Sequence, residues 1–364
     1  MKRKIEKLVL QILEQILPAT QFDRLLICWR RRVNKIQEYY PQAFLLSKKK
    51  STKKYCVVRY SIPEYGIMAA GIQYIFYYYK LLDRGYVPIM DLECEYSYKQ
   101  RRIGEHGIWD LCFEQAITAQ QAMHENYVLV TGKLFECIPD ECIAEWLNGD
   151  SNDHFLHTRK DDFREYYAKA KKIVEPIWQV KKSILEELND EIGNELREHR
   201  VVGVFLREQF SREIKRSNQS DIEVFDRHPL LPTVAETIEL IKNNLKKWNF
   251  DKIYLSTIYE DSIIRFRKEF GDMIIAISRD RFDINQKQTF SFSNTEQDIY
   301  QEYCKDIQKK DNLTKAYVKD LVALSRCTYF IGGPSSGSAV ALTMNGGQYE
   351  DIYILEDKRK IERY

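Results

Sequence analysis

Residues 201–207 read Val201-Val202-Gly203-Val204-Phe205-Leu206-Arg207. A continuous apolar run of this length is typical of a strand in a parallel sheet, because helices cover both faces of such a sheet and bury its strands. The run ends at Arg207, which places a guanidinium at the carboxyl end of the predicted strand. Open α/β sheets bind their ligands at that end. The run therefore predicts an α/β fold with a charged group at its ligand-binding edge.

On both sides of this run, segments of strand length alternate with amphipathic segments of helix length, which is the pattern of an α/β fold. The other predicted strands are residues 55–60, 86–92, 127–130, 252–257, 273–278 and 329–331. The predicted helices are residues 67–82, 162–198 with a break near Pro176, 233–248, 261–270, 315–325 and 336–344. Because the alternation recurs on both sides of residue 200, we predict two Rossmann-like, doubly wound domains that face each other across a cleft.

The charge of the chain is unevenly distributed. The 364 residues carry a net charge of +2, but residues 1–54 hold 14 Lys and Arg against 4 Asp and Glu, a net +10. The remaining 310 residues hold 42 Lys and Arg against 50 Asp and Glu, a net charge of −8. An acidic body argues against a nucleic-acid-binding protein that is basic throughout. Since no apolar run approaches the ~18 residues of a membrane span and no signal peptide is recognisable, we expect a cytoplasmic protein.

Residues 1–54 are predicted to form a basic arm of two amphipathic helices. In residues 1–17 the apolar side chains recur at helical spacing, and residues 22–40 repeat the pattern. The first stripe consists of Ile5, Leu8, Val9, Ile12 and Ile16. Two interpretations stay open: a helical hairpin that packs on the rest of the chain, or a peripheral contact with the anionic inner face of a membrane.

The predicted strand 329–331 is followed by a glycine- and serine-rich loop, Gly332-Gly333-Pro334-Ser335-Ser336-Gly337-Ser338, which opens a helix. Glycines allow a ligand to approach the backbone closely, and the N–H groups at a helix start favour an anion. Arg207 and Thr257 follow the neighbouring predicted strands, and an arginine can bind phosphate oxygens in a bidentate manner. Together these residues predict a diphosphate site. The alternative is a tight turn with a serine cap.

Several other ligand classes are disfavoured by the motifs. Residues 66–71 have the two-glycine spacing of a P-loop, but Ile72 and Gln73 stand where Lys and Ser or Thr would grip the phosphates. No GxGxxG follows the strand at 55–60, and no GxSxG elbow is present. The eight cysteines form no CxxC pair, which predicts reduced thiols rather than a zinc site. We therefore expect no metal and no cofactor.

The order of short segments in the C-terminal half resembles a known family. The segments are residues 201–207, His228-Pro229, residues 251–257, and residues 320–325 followed by Ser335-Ser336. This set is similar to the nodulation-type and core α-1,6-fucosyltransferases of glycosyltransferase family 23, which have a GT-B-like fold. It is closer still to bacterial relatives among surface-polysaccharide glycosyltransferases, which share blocks like residues 85–91 and 109–115.

The resemblance implies a domain organisation. Residues 1–54 would be the arm, residues 55–198 an N-terminal acceptor domain, residues 199–345 a Rossmann-like donor domain and residues 346–364 a tail. It also implies a nucleotide-sugar donor, typically GDP-fucose, and an inverting, metal-independent transfer to a hydroxyl of a glycan or lipid-linked oligosaccharide.

The resemblance also assigns roles to residues. Arg207 matches the arginine that holds the donor diphosphate, and Asp320, Ser335 and Ser336 match positions that line the nucleotide and phosphate site. Arg207 would stabilise the charge that develops on the leaving diphosphate. The acceptor hydroxyl needs a general base, for which Glu223 is the candidate, with Asp226 beside it.

The sequence departs from the family at three positions. Glu208 and Phe210 follow Arg207 where relatives carry a polar run that contains Asp, and Ile258 follows Thr257 where relatives carry an acid. These departures leave two alternatives to the transferase: a non-catalytic relative that binds a nucleotide or glycan, and a sulfotransferase-like enzyme that uses the same phosphate-binding groups.

Overall fold

The computed structural model describes residues 9–13, 15–17, 25, 43–45, 54–62, 67–94, 107–125, 127–131, 163–206, 233–244, 247–282, 306–333 and 335–355. The chain divides into two compact units. The first unit comprises Met1–Ile143, Ile177–Lys181 and Tyr303–Thr314. The second comprises Ala144–Pro176, Lys182–Glu302 and Lys315–Tyr364. The second predicted arm helix, residues 22–40, lies almost entirely outside the described residues.

The first unit contains a four-stranded sheet with the strand order β1-β4-β2-β3. Its strands are β1 (Ala43–Leu45), β2 (Tyr55–Ile62), β3 (Val87–Cys94) and β4 (Tyr127–Thr131). Its helices are α1 (Ile67–Leu82), α2 (Ile108–Cys112) and α3 (Ala119–Met123). Strands β2, β3 and β4 are parallel, and β1 pairs with β4 in the antiparallel sense. The strand β1 lies within the segment that the sequence predicts as a helical arm and its linker.

The described residues 9–13 and 15–17 of the arm pack on the core of the first unit through side chains outside the predicted apolar stripe. Leu10, Leu13 and Leu17 are the side chains that pack against the core around Tyr55 and Val57. Ile12 and Ile16 belong to the predicted stripe and are 48% and 68% exposed. A helix with two adjacent apolar stripes can bury either one. Of the predicted stripe, Ile12 and Ile16 therefore take no part in this packing, while Ile5 and Leu8 lie outside the described residues.

A side-chain amide covers part of the edge strand β3. The backbone N–H of Met90 donates to Gln115 Oε1 (2.6 Å), and Gln115 Nε2 donates to the Met90 carbonyl (3.1 Å). Gln115 Nε2 also donates to Asp110 in α2 (2.7 Å). An amide can satisfy both backbone groups of one edge residue, which otherwise form a template for pairing with another chain. The contact joins the two N-terminal blocks that the sequence analysis identified, residues 85–91 and 109–115.

The second unit contains a five-stranded sheet with the order β7-β6-β5-β8-β9, in which every neighbouring pair is parallel. Its strands are β5 (Val201–Phe205), β6 (Lys252–Ser256), β7 (Ile274–Ile275), β8 (Tyr329–Gly332) and β9 (Asp351–Ile354). Its helices are α4 (Phe163–Val174), α5 (Lys182–Glu198), α6 (Val234–Asn244), α7 (Glu260–Phe270), α8 (Ile307–Ser325, of which residues 307–314 belong to the first unit) and α9 (Ser336–Asn345). The predicted buried strand at residues 201–206 is confirmed as β5, all of whose residues are buried.

Helices cover both faces of this sheet. On one face, Val202, Val204 and Ile253 form a core with Ile241 of α6 and Phe266 of α7. On the other face, Gly203 faces α8, because an added Cβ would lie 3.2 Å from Leu324 Cδ2. Burying each of these large aliphatic side chains contributes roughly 1.5–3 kcal/mol. The predicted α/β class with parallel sheets is confirmed, whereas the cleft between two domains stays a prediction.

Two boundaries of the second unit follow from the local sequence. The predicted break near Pro176 is present, since α4 ends at Val174 and α5 begins at Lys182. Residues 351–354 lie in the segment predicted as a tail, yet they form β9, the edge strand beside β8. Trp248 explains this addition, because its ring stacks on Tyr329 at 4.9 Å and meets Tyr353 of β9 at 5.9 Å. No helix in the described ranges is long and apolar enough to span a membrane.

Candidate functional site

The register of the second sheet places several predicted site residues at one edge. Phe205 is paired with both Ser256 and Gly332, so β5, β6 and β8 end at the same level. The next residues along β6 and β8 are Thr257 and Gly333, which therefore leave the sheet at its carboxyl edge. Arg207 follows Phe205 by two positions but lies outside the described residues, as does the predicted base Glu223. Their predicted roles stay predictions.

The loop after β8 is closed by serine hydrogen bonds. Ser335 is the N-cap of α9, and its Oγ accepts the backbone N–H of Ser338 (3.3 Å). Ser338 is buried, and its Oγ donates to the carbonyl of Gly333 (2.6 Å). Ser335 and Ser336 themselves are half-buried. The predicted serine cap is present, and it leaves the positive end of the α9 dipole at the carboxyl edge of the sheet.

The glycines of this loop are required by packing inside the unit. A Cβ on Gly337 would lie 2.4 Å from the Phe205 ring, and a Cβ on Gly332 would lie 2.6 Å from Ser338 Oγ. Neither distance is possible without movement of the neighbour. The sequence explains these glycines by the close approach of a ligand, whereas the structure explains them by the contact of α9 with β5 and by the Ser338 hydrogen bond.

Thr257 is buried directly after β6. Its Oγ1 accepts the backbone N–H of Tyr259 (3.2 Å), which is the N-cap of α7. This hydrogen bond shapes the turn into the helix. Ile258 and Tyr259 continue the turn, and the acids Glu260 and Asp261 belong to the first turn of α7. Thr257 therefore lies at the predicted edge, but its hydroxyl already has a structural role there.

Asp320 lies in α8, and its carboxylate is held inside the unit. Tyr254 of β6 donates its hydroxyl to Oδ1 at 2.5 Å, and Arg279 donates from Nη1 to Oδ2 at 2.6 Å. Asp320 is only 1% exposed. Burial raises the pKa of this carboxyl, and the neighbouring Arg279 and Tyr254 oppose the rise. The resemblance places Asp320 at the nucleotide site, whereas the structure shows both of its oxygens engaged with protein groups.

Sequence reasoning missed Arg279 and Arg281, which follow β7. Arg279 is 3% exposed in its side chain and forms the ion pair with Asp320. Arg281 donates from Nη2 to the carbonyl of Ile277 (2.7 Å). Their signal in the sequence was two arginines with one residue between them, directly after a predicted strand of the donor domain. That signal is weak by itself, because exposed arginines are common in loops.

Sequence reasoning also missed a buried ion pair in the first unit. Arg59 Nη1 lies 3.3 Å from Asp91 Oδ2, and their side chains are 1% and 0% exposed. The two residues are directly paired neighbours on β2 and β3. Because each charge needs the other at this depth, the pair fixes the register of the two strands.

The tyrosine-rich helix α1 contributes to the core of the first unit. Tyr74 and Tyr77 are 2% and 5% exposed. Tyr74 contacts the ring of Trp109 at 6.2 Å. A Cβ on Gly71 would lie 2.9 Å from that same ring. Tyr74 and Tyr77 therefore pack inside the first unit, and Gly71 provides space for the ring of Trp109.

The arrangement in the second unit suits an anionic ligand. The start of α9 follows β8, and the segment that carries Arg279 and Arg281 crosses the end of β6, so both lie at the carboxyl edge of the sheet. A helix start and a guanidinium group each favour an anion. Cys56, Cys112 and Cys327 are free and buried, and within the described ranges no three His, Cys, Asp or Glu side chains cluster as metal ligands would.

No protein-family model and no curated protein sequence matches the chain. Among solved structures, the chain is similar to a NodZ α-1,6-fucosyltransferase soaked with GDP-fucose, with 13% identity, 80% of this chain and 93% of that chain covered, and a TM-score of 0.46. The chain is also similar to a NodZ fucosyltransferase from Bradyrhizobium, with 12% identity, 80% of this chain and 93% of that chain covered, and a TM-score of 0.44. A third similar structure is a mutant of FUT1 from Arabidopsis thaliana in complex with GDP, with 8% identity, 92% of this chain and 78% of that chain covered, and a TM-score of 0.41. All three identities lie below 25% and all three TM-scores lie below 0.5, so these likenesses assign no role to a residue of this chain.

Proposed function

We propose that this chain is a glycosyltransferase that moves a sugar from a nucleoside diphosphate donor to a glycan hydroxyl. The observation that carries the proposal is the common level at which β5, β6 and β8 end, with Phe205 paired to both Ser256 and Gly332. That register brings the segments that continue into Arg207, Thr257 and the Gly333–Ser338 loop to one edge. The family resemblance assigns the donor diphosphate to this set of segments.

In the proposed mechanism, the donor diphosphate binds at the start of α9 and Arg207. Breaking the bond between the sugar C1 and the phosphate oxygen leaves negative charge on the diphosphate, which the helix start and the guanidinium stabilise as it develops. The acceptor hydroxyl attacks C1 from the opposite face and gives its proton to a carboxylate, for which Glu223 is the candidate. The sugar configuration is inverted, and no metal takes part.

GDP-fucose is the first donor to test, because the resemblance is to fucosyltransferases. The proposed acceptor is a glycan or lipid-linked oligosaccharide of a bacterial surface polysaccharide. An acceptor of that kind fits the proposed peripheral contact of residues 1–54 with the inner membrane face, since those residues carry a net +10.

A thermal-shift panel tests the donor class. GDP, UDP, dTDP and CDP, and then the matching sugar nucleotides, are added to the full chain, and the melting temperature is recorded. We expect one nucleotide and its sugar form to raise the melting temperature, since a ligand that binds only the folded state stabilises it. No shift with any of them would refute the proposal. Stronger stabilisation by adenosine 3′-phosphate 5′-phosphosulfate would favour the sulfotransferase-like alternative.

A further inference from the structure

The segment after β7 crosses the carboxyl end of β6. Strand β7 ends at Ile275, and Phe282, seven residues later, pairs with the segment that leaves β6. The Phe282 N–H donates to the Ile258 carbonyl (2.8 Å), and the Phe282 carbonyl accepts from Glu260 N–H (3.1 Å). Arg279 and Arg281 are therefore carried to the edge of the sheet at which α/β proteins bind ligands.

One of the two arginines anchors this segment. Arg279 is fixed by the buried carboxylate of Asp320, whose other oxygen accepts the Tyr254 hydroxyl. The anchor joins the segment to α8 and to the middle of β6, so its path does not depend on a ligand. Both carboxylate oxygens of Asp320 are engaged in this anchor, and its role at the nucleotide site stays a prediction.

The second arginine, Arg281, has a donor without an acceptor among the residues that the structure describes. Arg281 uses Nη2 for the Ile277 carbonyl, but its Nε is buried and meets no acceptor in the described part of the chain. The Nε of Arg279 is likewise buried and meets no acceptor among the described residues. A buried donor on a charged group is costly when it is unsatisfied, and native proteins rarely leave one without a reason. The carboxylates that act electrostatically on Arg281 include Asp320, which is already paired, and Glu260, which is exposed.

We infer, building on the proposed function, that Arg281 binds a phosphate group of the nucleotide-sugar donor. The guanidinium fork matches two phosphate oxygens, and the half-buried site keeps the interaction from being screened as a surface pair would be. Arg281 extends the anion-binding edge from β8 and α9 across to β6, on the side away from the Gly333–Ser338 loop. The donor phosphates would then be held from more than one strand end.

Isothermal titration of the full chain with GDP, UDP, guanosine and inorganic pyrophosphate tests this inference. The variants are Arg281→Gln, Arg281→Lys and, as the charge-matched control, Arg267→Gln on the exposed side of α7. Thermal unfolding checks that each variant is folded. We expect Arg281→Gln to weaken diphosphate binding about 10- to 100-fold, since hydrogen bonds to charged groups contribute that much. The diphosphate affinity of Arg281→Lys should lie between those of the wild type and Arg281→Gln, because lysine keeps the positive charge but lacks the two-pronged guanidinium geometry.

The outcomes separate the inference from the proposal on which it rests. A folded Arg281→Gln variant that binds diphosphates as tightly as the wild type overturns the inference and leaves the proposed function standing. If Arg281→Gln does not fold, wild-type affinity in Arg281→Lys overturns it. Arg281-dependent binding of pyrophosphate, without binding of any of the four nucleoside diphosphates of the thermal-shift panel, keeps Arg281 as an anion-binding residue but overturns both its assignment to a nucleotide-sugar donor and the proposed function. If the wild type binds neither pyrophosphate nor a nucleotide, both are wrong.

Discussion

The Oδ2 atom of Asp320 lies 2.6 Å from Nη1 of Arg279, and neither side chain is more than 3% exposed. A charge at this depth is tolerated only with a partner and further hydrogen bonds, which Tyr254 supplies to the other carboxylate oxygen. The pair is therefore tightly coupled to the stability of the second unit, and it connects α8 to the segment after β7.

Replacing either Asp320 or Arg279 alone should lower the free energy of unfolding more than replacing both. Asp320→Ala leaves the Arg279 charge buried and should lower the free energy of unfolding by about 3–5 kcal/mol. Adding Arg279→Met should recover part of the loss, because no buried charge then lacks a partner. Urea denaturation of the single and double variants measures this coupling. Glu269→Ala, which breaks the exposed pair with Lys242, should cost less than about 1 kcal/mol. Strictly additive losses for Asp320 and Arg279 would contradict the prediction.

Gly337→Ala should destabilise the protein even when no ligand is present. The new Cβ would lie 2.4 Å from Phe205, and overpacking of this kind costs about 1–3 kcal/mol. Gly193→Ala in α5 is the control, because its Cβ would lie 3.2 Å from Arg197 Nη1 and 3.3 Å from Asn189 Cβ, which is less crowded than the 2.4 Å contact at Gly337. Alanine is favoured over glycine in a helix, so the control should lose less stability than Gly337→Ala. Equal stability of Gly337→Ala and the wild type, measured by urea denaturation, would show that the glycine serves a ligand instead.

Gln115→Ala should expose the edge of β3. Met90 then loses the partner of both its N–H and its carbonyl, which should lower the free energy of unfolding by about 1–3 kcal/mol. Gln115→Glu keeps an acceptor for the Met90 N–H but loses the donor, so it should also be destabilised. Glu114→Ala, on the exposed neighbouring residue, is the control for both. Urea denaturation of all three variants should rank Glu114→Ala as the most stable, and any other order would contradict the role of Gln115.

Strands β5 and β6 of the second unit were predictable because their signal is local. The apolar runs 201–206 and 253–255 are buried on both faces, and burial on both faces leaves an uninterrupted apolar pattern in the sequence. Pro176 is an equally local signal for the end of α4, because a proline in a helix interior breaks the helix. Such features need no knowledge of which elements become neighbours.

The contacts of the site could not be predicted, because they join distant residues. Tyr254 and Asp320 are 66 positions apart and meet only through the packing of α8 on β6. The glycine at 337 looks like a ligand contact until Phe205 is found beside it. In the arm, Leu10 and Ile12 lie on adjacent apolar stripes, and the sequence alone does not choose which stripe the core of the first unit buries.

The exposed stripe of the arm should strengthen binding to anionic membranes. Replacing both Ile12 and Ile16 by Ser removes apolar surface that is 48% and 68% exposed, and should reduce co-sedimentation with vesicles that contain an anionic lipid. Ile264→Ser, at a residue that is 58% exposed in α7, is the matched control and should bind as the wild type does. Binding to vesicles of neutral lipid alone should be weak throughout, because the basic arm then lacks its counter-charge. Equal sedimentation of the double variant and the wild type would assign those isoleucines no membrane role.

Arg207 is the residue on which the proposed transferase depends, and sugar transfer tests it most directly. The wild type, Arg207→Ala and the control Arg267→Ala are incubated with labelled GDP-fucose, or with the donor identified by thermal shift, and with a lipid-linked oligosaccharide fraction. We expect labelled sugar in the acceptor with the wild type and with Arg267→Ala, and a loss of at least about 100-fold with Arg207→Ala, since removing one group that stabilises developing charge costs that much. Transfer that persists in Arg207→Ala, or no transfer by a wild type that binds the donor, would contradict the account.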